Sequence, residues 1–434
     1  MKVTYLTAAS VLIETKGVKI LSDPWYADGA FYGSWHHWPP FQYDPKEFED
    51  VDYIYISHIH EDHLCPETLN NFDKSIPILI HKFDSKFLKF NIEKLGFSTI
   101  EIEHGELFKL KNDINVRIYS VEKCTDNHEA KQSAIDTFML VDDGDHVVVN
   151  TNDCMVNLIE QEVIQLKKQY PTIDMLLCCY TNASSYPQCT ISLSEAENIR
   201  EARRVKKYCY DKANRLIQIL QPKYYMPFAG HYVLGGKLSK LNHLTANDSP
   251  AAGKFYFEET YPFSLEKYKC IVLNSKEHID LKTGKVSKTY EHVPGLQKYI
   301  TDVLSKVVFD YEKEEHPNKK QVYDLFEDSY SRMENNRKRL NFETDTKVFI
   351  YLLDDEALML DMSGDGYKIV NKNDIDKYNK YVTIKMDLRL LYKILQGPRF
   401  AHWDNADGGS HIFYEKKPNV FERGIYHTIC FFHR

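Results

Sequence analysis

The chain has 434 residues, a formal net charge of −8 and a sequence pI near 6.1. This length is sufficient for one large domain and a smaller one. Because no long basic run is present to neutralise a phosphate backbone, nucleic acid is excluded as an expected partner, and a small or sugar-like substrate is favoured. Glu14 and Lys16 interrupt the apolar stretch after Met1, so no signal peptide or membrane span is predicted and a cytoplasmic protein is expected.

The nine cysteines are scattered without any Cys-x-x-Cys pair, and they are expected to be reduced and mostly buried. A Rieske iron–sulfur cluster needs two cysteines and two histidines, usually as Cys-x-His and Cys-x-x-His. No Cys-x-His occurs, and the single Cys-x-x-His, from Cys430 to His433, stands alone. An electron-transfer module is therefore not predicted in this sequence.

The first segments of the chain predict a β start followed by an aromatic loop. Residues 3 to 22 alternate between apolar and polar on either side of Lys16-Gly17, which predicts a β-hairpin ending at Asp23-Pro24. Residues 25 to 43 hold three of the four tryptophans and are too irregular for a strand or a helix. Such a loop is either a structural plug or a wall and lid over a pocket.

The most informative segment is His58-Ile59-His60-Glu61-Asp62-His63, three histidines and two acids in six positions. It follows the apolar run 52–57, so it is predicted to lie at the carboxyl end of a buried strand, where α/β sheets place their sites. Imidazole nitrogens and carboxylate oxygens suit zinc, iron or manganese. The segment therefore predicts a metal centre, in which Glu61 is either an acid that supports the ligands or, as favoured, a solvated turn residue.

The remainder of the first 296 residues predicts an α/β domain with further ligands just past strand ends. Apolar runs recur at 76–81, 98–102, 116–121, 135–141, 146–150, 173–179 and 223–228, and helical stretches at 66–73, 84–95, 155–169 and 193–219. Three candidate ligands follow such runs: His128, Asp153 and His231. His104 competes with His128 for its place.

The C-terminal third has a different composition. Residues 297–342 are helical and strongly charged and are predicted to form a connector, and residues 343–434 return to strand-like runs with a short helix near 388–396 and a β-like finish. This predicts three parts: a catalytic domain at 1–296, the connector, and a small α+β domain of unknown role.

The ordered set of an HxHxDH motif, a preceding Asp on a strand end, and a later His, Asp and His resembles the metallo-β-lactamase fold superfamily over roughly residues 1 to 260. The resemblance implies an αβ/βα four-layer sandwich and two divalent metal ions. By position, His58, His60 and His128 would hold one ion, Asp62, His63 and His231 the other, and Asp153 would bridge them. Asp62 and Asp153 are the expected catalytic residues, and Asp23 is expected to orient a metal-bound imidazole.

A narrower resemblance rests on Asp23-Pro24-Trp25, the aromatic loop, Tyr53 to His58, Ala183 to Cys189 and Pro227 to Gly230. These segments are similar to the catalytic part of CMP-N-acetylneuraminate hydroxylases, which combine an iron site with an N-terminal Rieske domain. Since this sequence begins directly at the first strand, hydroxylation would take electrons from a separate electron-donor protein.

Two enzymatic functions remain open from the sequence. One is an iron-dependent oxygenase acting on a sugar nucleotide or a similar natural product, and the other is a dinuclear hydrolase of an ester, lactone, thioester or phosphodiester. A noncatalytic metal-binding or scaffold protein is the third hypothesis. The residues expected to contact a substrate are Trp25, Trp35, Trp38, Ser184, Tyr186, Tyr232 and Asn247. Iron is the favoured metal for the two sites, with zinc and manganese as the alternatives.

Overall fold

The computed structural model describes residues 1–48, 50–125, 135–262 and 267–434. The strands are β1 Lys2–Thr7, β2 Ser10–Thr15, β3 Val18–Ser22, β4 Trp35–His36, β5 Tyr53–Tyr55, β6 Ile78–His81, β7 Thr99–Ile102, β8 Phe108–Lys109, β9 Asn115–Ser120, β10 Thr137–Asp142, β11 Val147–Asn150, β12 Met175–Cys179, β13 Tyr224–Phe228, β14 Val233–Leu234, β15 Lys269–Cys270, β16 His278–Asp280, β17 Lys285–Val286, β18 Lys347–Tyr351, β19 Glu356–Asp361, β20 Tyr367–Asn371, β21 Tyr381–Lys385 and β22 Phe413–Lys417.

The α-helices are α1 Ala30–Gly33, α2 Pro66–Leu69, α3 Phe87–Lys94, α4 Val121–Cys124, α5 Val156–Gln169, α6 Glu195–Leu220, α7 Pro250–Thr260, α8 Leu296–Asp302, α9 Lys319–Tyr323, α10 Phe326–Arg339, α11 Leu388–Leu395, α12 Trp403–Gly408 and α13 Arg423–Ile429. Short 3-10 helices lie at Pro45–Phe48, Lys111–Asp113, Gly236–Leu244, Leu304–Lys306, Asp310–Lys313 and Lys372–Lys377.

The first sheet has eight strands in the order β17-β16-β1-β2-β3-β5-β6-β7. The hairpin predicted around Lys16-Gly17 is confirmed by β2 and β3, but segment 3–22 contains one more strand than predicted and forms three antiparallel strands. A second turn at Ala8-Ala9, where Ala8 has a φ of 43°, divides the first apolar run. From β3 onwards the strands β3, β5, β6 and β7 run parallel, so their carboxyl ends share one edge.

The second sheet has seven strands in the order β15-β13-β12-β11-β10-β9-β8. Strands β11, β12, β13 and β15 are parallel, whereas β10 is antiparallel to both of its neighbours, β9 and β11. The amino end of β10 therefore lies at the same edge as the carboxyl end of β11.

The two sheets pack face to face, with helices on both outer faces. The core between them joins residues of the first sheet, such as Val11 and Ile20, to residues of the second, such as Val116 and Met139. Helices α5 and α6 cover the outer face of the second sheet, and α2 and α3 cover that of the first. The predicted αβ/βα four-layer sandwich is confirmed.

Helix α6, the longest helix described, shows how the sequence sets an element boundary. Ser194 Oγ accepts the backbone N–H of Glu197, and the Glu197 carboxylate accepts the N–H of Ser194 at 2.8 Å. This capping box satisfies two donors that a helix start leaves without partners.

The C-terminal part contains a five-stranded sheet in the order β20-β19-β18-β21-β22. The β-like finish predicted from the sequence is wrong, because the chain ends after helix α13. Buried Ile425, Thr428 and Ile429 have the i, i+3, i+4 spacing of one helical face. The boundaries of the helical connector and of the small C-terminal domain, predicted at residues 297 and 343, stay predictions.

The aromatic loop packs against the C-terminal part. Trp25, Phe31 and Trp35 belong to the same buried cluster as Trp403 and Phe432. Burial of several large aromatic rings at this seam stabilises the arrangement of the two parts.

Asp387 makes a charged contact across the same seam. It caps α11 by accepting the N–H of Arg389 at 3.0 Å, accepts the Arg389 guanidinium at 2.8 Å, and lies 3.3 Å from Lys237 Nζ. Burial alone would raise the pKa of Asp387, but the bonds from Arg389 and the charge of Lys237 lower this pKa from 3.8 to about 2.

We expect Asp387→Ala to lower the free energy of unfolding by about 2 kcal/mol at neutral pH. Because the pKa of Asp387 is lower in the folded state, its contribution is present above the unfolded pKa and is lost as the pH falls from 3.8 towards 2. Urea denaturation at several pH values measures this, and the difference between variant and wild type should shrink over that interval. Exposed Asp328→Ala is the control, and a difference that does not change with pH would contradict the assignment.

All nine cysteines are free, and seven of them are buried. Within the described ranges, no helix combines the length and the apolar character needed to cross a membrane.

Candidate metal centre

The His58 to His63 segment lies between β5 and α2, at the edge where the parallel strands of the first sheet end. Asp23, which directly follows β3, is fully buried at the same edge. Its carboxylate accepts the backbone N–H and the hydroxyl of Ser57, both at 2.8 Å, and His63 Nδ1 at 3.0 Å. Asp23 therefore fixes the orientation of the His63 ring, and its role behind a metal-bound imidazole stays a prediction.

The second sheet contributes two carboxylates to the same place. Asp153 follows β11, and its Oδ1 lies 3.4 Å from His63 Nε2 while its Oδ2 lies 4.0 Å from His58 Nε2. Asp136 precedes β10, and its Oδ1 lies 3.7 Å from His58 Nε2. One carboxylate of the first sheet, Asp62, is also 3.4 Å from His63 Nε2.

These side chains have the features of a metal site. One ligand atom each from His58, His63 and Asp153 lies within 4.8 Å of the others. His63 Nε2 is buried and has no hydrogen-bond partner, although Asp23 holds the other ring nitrogen. A metal-binding histidine has this pattern, with one nitrogen on a carboxylate and the other free for the cation. The residues present therefore fit a bound metal ion.

The electrostatics of the cluster favour a cation. Burial and the neighbouring rings of His63 and His60 hold the pKa of His58 well below its usual range, so this ring is neutral, the form that binds metals. Burial opposes protonation of His63 as well, but Asp62 and Asp153 raise the pKa of His63 well above its usual range. A divalent cation in the place of that proton would satisfy the same carboxylates.

A carboxylate of the C-terminal part also belongs to this site. His60 Nε2 donates to Asp404 Oδ2 at 2.8 Å, and the hydroxyl of Tyr426 donates to the other oxygen of Asp404. His60 Nδ1 faces His58 Nε2 at 2.9 Å. Although burial lowers the pKa of His60, Asp404 raises it to about 9. Asp404 thus holds the His60 ring as Asp23 holds the His63 ring.

A family model described as a β-lactamase superfamily domain matches residues 2–168. These residues carry six of the eight strands of the first sheet, the histidine-rich segment and Asp153, in a four-layer sandwich whose sheet edge holds the cluster. The chain has the metallo-β-lactamase fold.

Two relatives show which proteins this chain is similar to in sequence. The chain is 31% identical over 194 residues to a protein of Mycolicibacterium smegmatis named as a Rieske 2Fe-2S iron–sulfur protein, an alignment that covers 43% of this chain and 35% of the relative. It is 26% identical over 245 residues to the cytidine monophosphate-N-acetylneuraminic acid hydroxylase of Danio rerio, covering 53% of this chain and 38% of the relative. The predicted similarity to these hydroxylases is confirmed, and the matches span less than half of either relative.

A solved structure of isothiocyanate hydrolase from Delia radicum gut bacteria aligns with 64% of this chain and 99% of that chain, at 12% identity and a TM-score of 0.47.

A cavity of about 80 Å³ opens beside the metal centre of this metallo-β-lactamase fold. A cavity of this volume has room for several water molecules or for part of a substrate. Its walls come from both parts of the chain and consist of Phe31, Trp35, His60, Asp62, Asp153, Ala183, Ser184, Asp404, Asp407, Gly408 and Tyr426.

The structure distributes the predicted substrate residues over several places. Trp35 and Ser184 line the small cavity, and Tyr232 stacks on Trp35 with ring centroids 3.4 Å apart. Trp25 is buried against His37, and Trp38 packs on Tyr299.

Two further predicted substrate residues have intramolecular partners. Tyr186 donates its hydroxyl to Glu201 at 2.7 Å. Asn247 accepts the N–H of His231 at 3.1 Å and donates to the carbonyl of Tyr232, so it braces the loop after β13.

Two predicted metal ligands are not part of the cluster as described. The His231 ring is buried near the backbone of Trp38 and Asp248, and burial lowers its pKa to about 4. It is not in the group whose ligand atoms lie within 4.8 Å of one another. His128 lies outside the described residues. Its competitor His104 accepts the N–H of Ser120 at 3.1 Å and forms a separate group with Cys124 and Glu162.

Glu61 corrects an expectation from the sequence. Its carboxylate accepts the N–H of Phe31 and the side-chain amide of Asn405, the latter at 2.8 Å. It is therefore a link between the aromatic loop and helix α12 and not a solvated turn residue.

Three residues at the same sheet edge have a left-handed backbone conformation. Asp23, Asn152 and His231, each just past the end of a strand, have φ values of 42°, 42° and 72°. Non-glycine residues in this left-handed region cost ~1–3 kcal/mol each and occur preferentially at functional sites.

Proposed function

We propose that this protein is a metal-dependent oxygenase with a dinuclear site, acting on a sugar nucleotide or a similar natural product. The observation that carries the proposal is the position of Asp153 between two imidazoles, with Oδ1 towards His63 and Oδ2 towards His58. A carboxylate whose two oxygens face different histidines is suited to bridge two cations.

In the proposed site, His58 and His60 hold one ion and Asp62 and His63 hold the other. Asp23 and Asp404 accept from His63 Nδ1 and His60 Nε2, which leaves His63 Nε2 without a hydrogen-bond partner and turns His60 Nδ1 towards His58 Nε2, 2.9 Å away, so that both of these nitrogens face the place of one ion. Asp136 lies beside His58 as a further candidate ligand. His128 and His231 remain candidate ligands on the strength of the resemblance alone.

Iron bound at this site would supply the redox chemistry that reacts dioxygen with a C–H bond, with electrons from a separate electron-donor protein. The chain itself positions the substrate and excludes water. Trp35, stacked on Tyr232, and Phe31 form the apolar wall opposite the carboxylates. The small volume of the cavity keeps bulk water away from the reacting group.

The names of the two relatives support oxygenation over other chemistry of this fold. One relative is named as a hydroxylase and the other as an iron–sulfur protein, a class that transfers electrons. Because the chain covers 35% to 38% of their lengths, the activity, the substrate and the donor all belong to the proposal.

Hydrolysis is the second candidate function. The match to a β-lactamase superfamily domain favours it, and a dinuclear site can lower the pKa of a bound water molecule to ~7 and so make it a nucleophile.

Metal analysis of aerobically and anaerobically purified protein separates the two functions. We expect about two iron ions per chain, visible absorption, and oxygen uptake after anaerobic reduction with dithionite, without turnover of p-nitrophenyl acetate or bis(p-nitrophenyl) phosphate. Two zinc ions with turnover of either ester would overturn the oxygenase in favour of the hydrolase. Failure to bind iron, manganese or zinc would reject both.

A further inference from the structure

A larger cavity of about 410 Å³ lies between the loop around residues 182–190 and the C-terminal part. Its volume is within the range of small-molecule sites, ~300–1,000 Å³. Ser184, Asp407 and Tyr426 line both this cavity and the small cavity at the metal centre. We call this larger cavity the interdomain cleft, and a molecule in it lies next to the metal centre.

The wall of the interdomain cleft is largely apolar. Val382 and Ile384 of β21 and Ile425 of α13 form its floor, together with the ring of Tyr414. Val420 and Phe421 border the cleft with 55% and 60% of their surfaces exposed. Exposed apolar side chains grouped around a cavity are typical of a ligand site.

Lys416 supplies a positive charge to the cleft. Its Nζ lies 5.3 Å from the ring centroids of both Tyr414 and Phe421. Across the part of the chain that the structure describes, no carboxylate forms an ion pair with Lys416, whereas the other lining cation, Arg204, pairs with Glu201 at 2.8 Å.

The acidic groups of the lining already have donors. Asp407 accepts the hydroxyls of Ser185 at 2.6 Å and Tyr414 at 2.8 Å, and Glu422 accepts those of Thr344 and Thr346. Among the charged side chains that line the cleft, Lys416 is therefore the one that remains available to a ligand. The ligand group that complements its positive charge is an anion.

From these contacts we infer that the interdomain cleft binds an organic acid with an apolar body. The acid group pairs with Lys416, the apolar body lies against Ile384, Tyr414 and Phe421, and the opposite end enters the small cavity beside His60 and Asp153. The entry of the opposite end into the small cavity rests on the proposed function, whereas the binding of the acid in the interdomain cleft does not. Within the proposed function, the inference favours a natural-product acid with an apolar body over a sugar nucleotide, whose body is polar.

The test uses the full chain and the fluorescent probe anilinonaphthalene sulfonate, an aromatic ring system with one anionic group. We expect Lys416→Met to weaken its affinity about tenfold, which corresponds to about 1.4 kcal/mol. The uncharged relative N-phenylnaphthylamine should bind wild type and Lys416→Met equally. Phe421→Ala, a change at an exposed side chain, should weaken both probes.

Lys368→Met, at an exposed lysine of β20, is the matched control and should bind both probes as wild type does. Circular dichroism verifies that each variant is folded. Equal affinity of wild type and Lys416→Met for the anionic probe, or no effect of Phe421→Ala on either probe, would overturn the inference.

The same titration with EDTA-treated and Co²⁺-loaded protein separates this inference from the proposed function. We expect the probe to bind in both states and its fluorescence to be quenched by Co²⁺. A protein that binds the probe through Lys416 but does not bind Co²⁺ would refute the metal centre alone. A protein that binds Co²⁺ without quenching would refute the placement of the cleft next to that centre.

Discussion

Replacing Asp153 with asparagine should reduce bound metal from about two ions per chain to one or none. Each oxygen of this carboxylate faces a different histidine, so an amide, which offers one neutral oxygen, cannot serve both ions. Loss of an outer partner of a ligand already costs ~10–100-fold in metal affinity or activity, and loss of the bridging group should cost more than ~100-fold. Metal content after gel filtration and competition with a chelator measure the change.

Asp145→Asn is the control for this substitution. Asp145 is exposed in the turn that joins β10 to β11, at the opposite end of the strand that carries Asp153. Asp145→Asn should leave metal content and thermal stability unchanged. Wild-type metal content and affinity in Asp153→Asn would refute the bridging role.

The parts of the site that were predictable from the sequence share a local signature. Segment 58–63 combines an apolar run with a dense set of ligands, and the parallel order of β3, β5 and β6 brings Asp23 to the same edge. Asp153 was predictable because it follows a buried strand. In each case, a residue past the carboxyl end of a strand lies at the rim of the sheet.

Asp136 shows where this reasoning fails. It lies before the first residue of β10, so a search for ligands just after the ends of strands does not find it. Because β10 is antiparallel to β11, the amino end of β10 lies where β11 ends, which places Asp136 beside His58. Strand direction within a mixed sheet is a property of the topology, and apolar runs alone do not reveal it.

Asp404 was not predictable for a different reason. It is 344 residues away from His60, in a helix whose sequence carries no ligand motif. Its position depends on how the C-terminal part packs on the aromatic loop, through the buried cluster that includes Trp25, Trp35 and Trp403. The same packing forms the seam along which the interdomain cleft lies, so the part predicted to have an unknown role contributes to both cavities.

Asp404→Ala should lower metal affinity by ~10–100-fold, the usual cost of losing the carboxylate behind a metal-binding histidine. Without Asp404, His60 loses the acceptor that keeps the proton on Nε2, so Nδ1 is no longer held ready for a cation. The hydroxyl of Tyr426 loses its partner as well. Because Asp404 acts through His60, metal affinity should fall also in protein without substrate. Calorimetric titration of EDTA-treated protein with Zn²⁺ measures this directly.

Two further variants distinguish positioning of His60 from a general loss of folding. Asp404→Asn keeps the shape and an acceptor oxygen but removes the charge, so its affinity should lie between those of Asp404→Ala and wild type. Asp328→Ala, at an exposed acid of α10, should bind Zn²⁺ as wild type does. If Asp404→Ala binds both ions with wild-type affinity, the C-terminal part does not support the metal centre. Its contribution would then be confined to the wall of the cleft, where binding of the fluorescent probe still tests it.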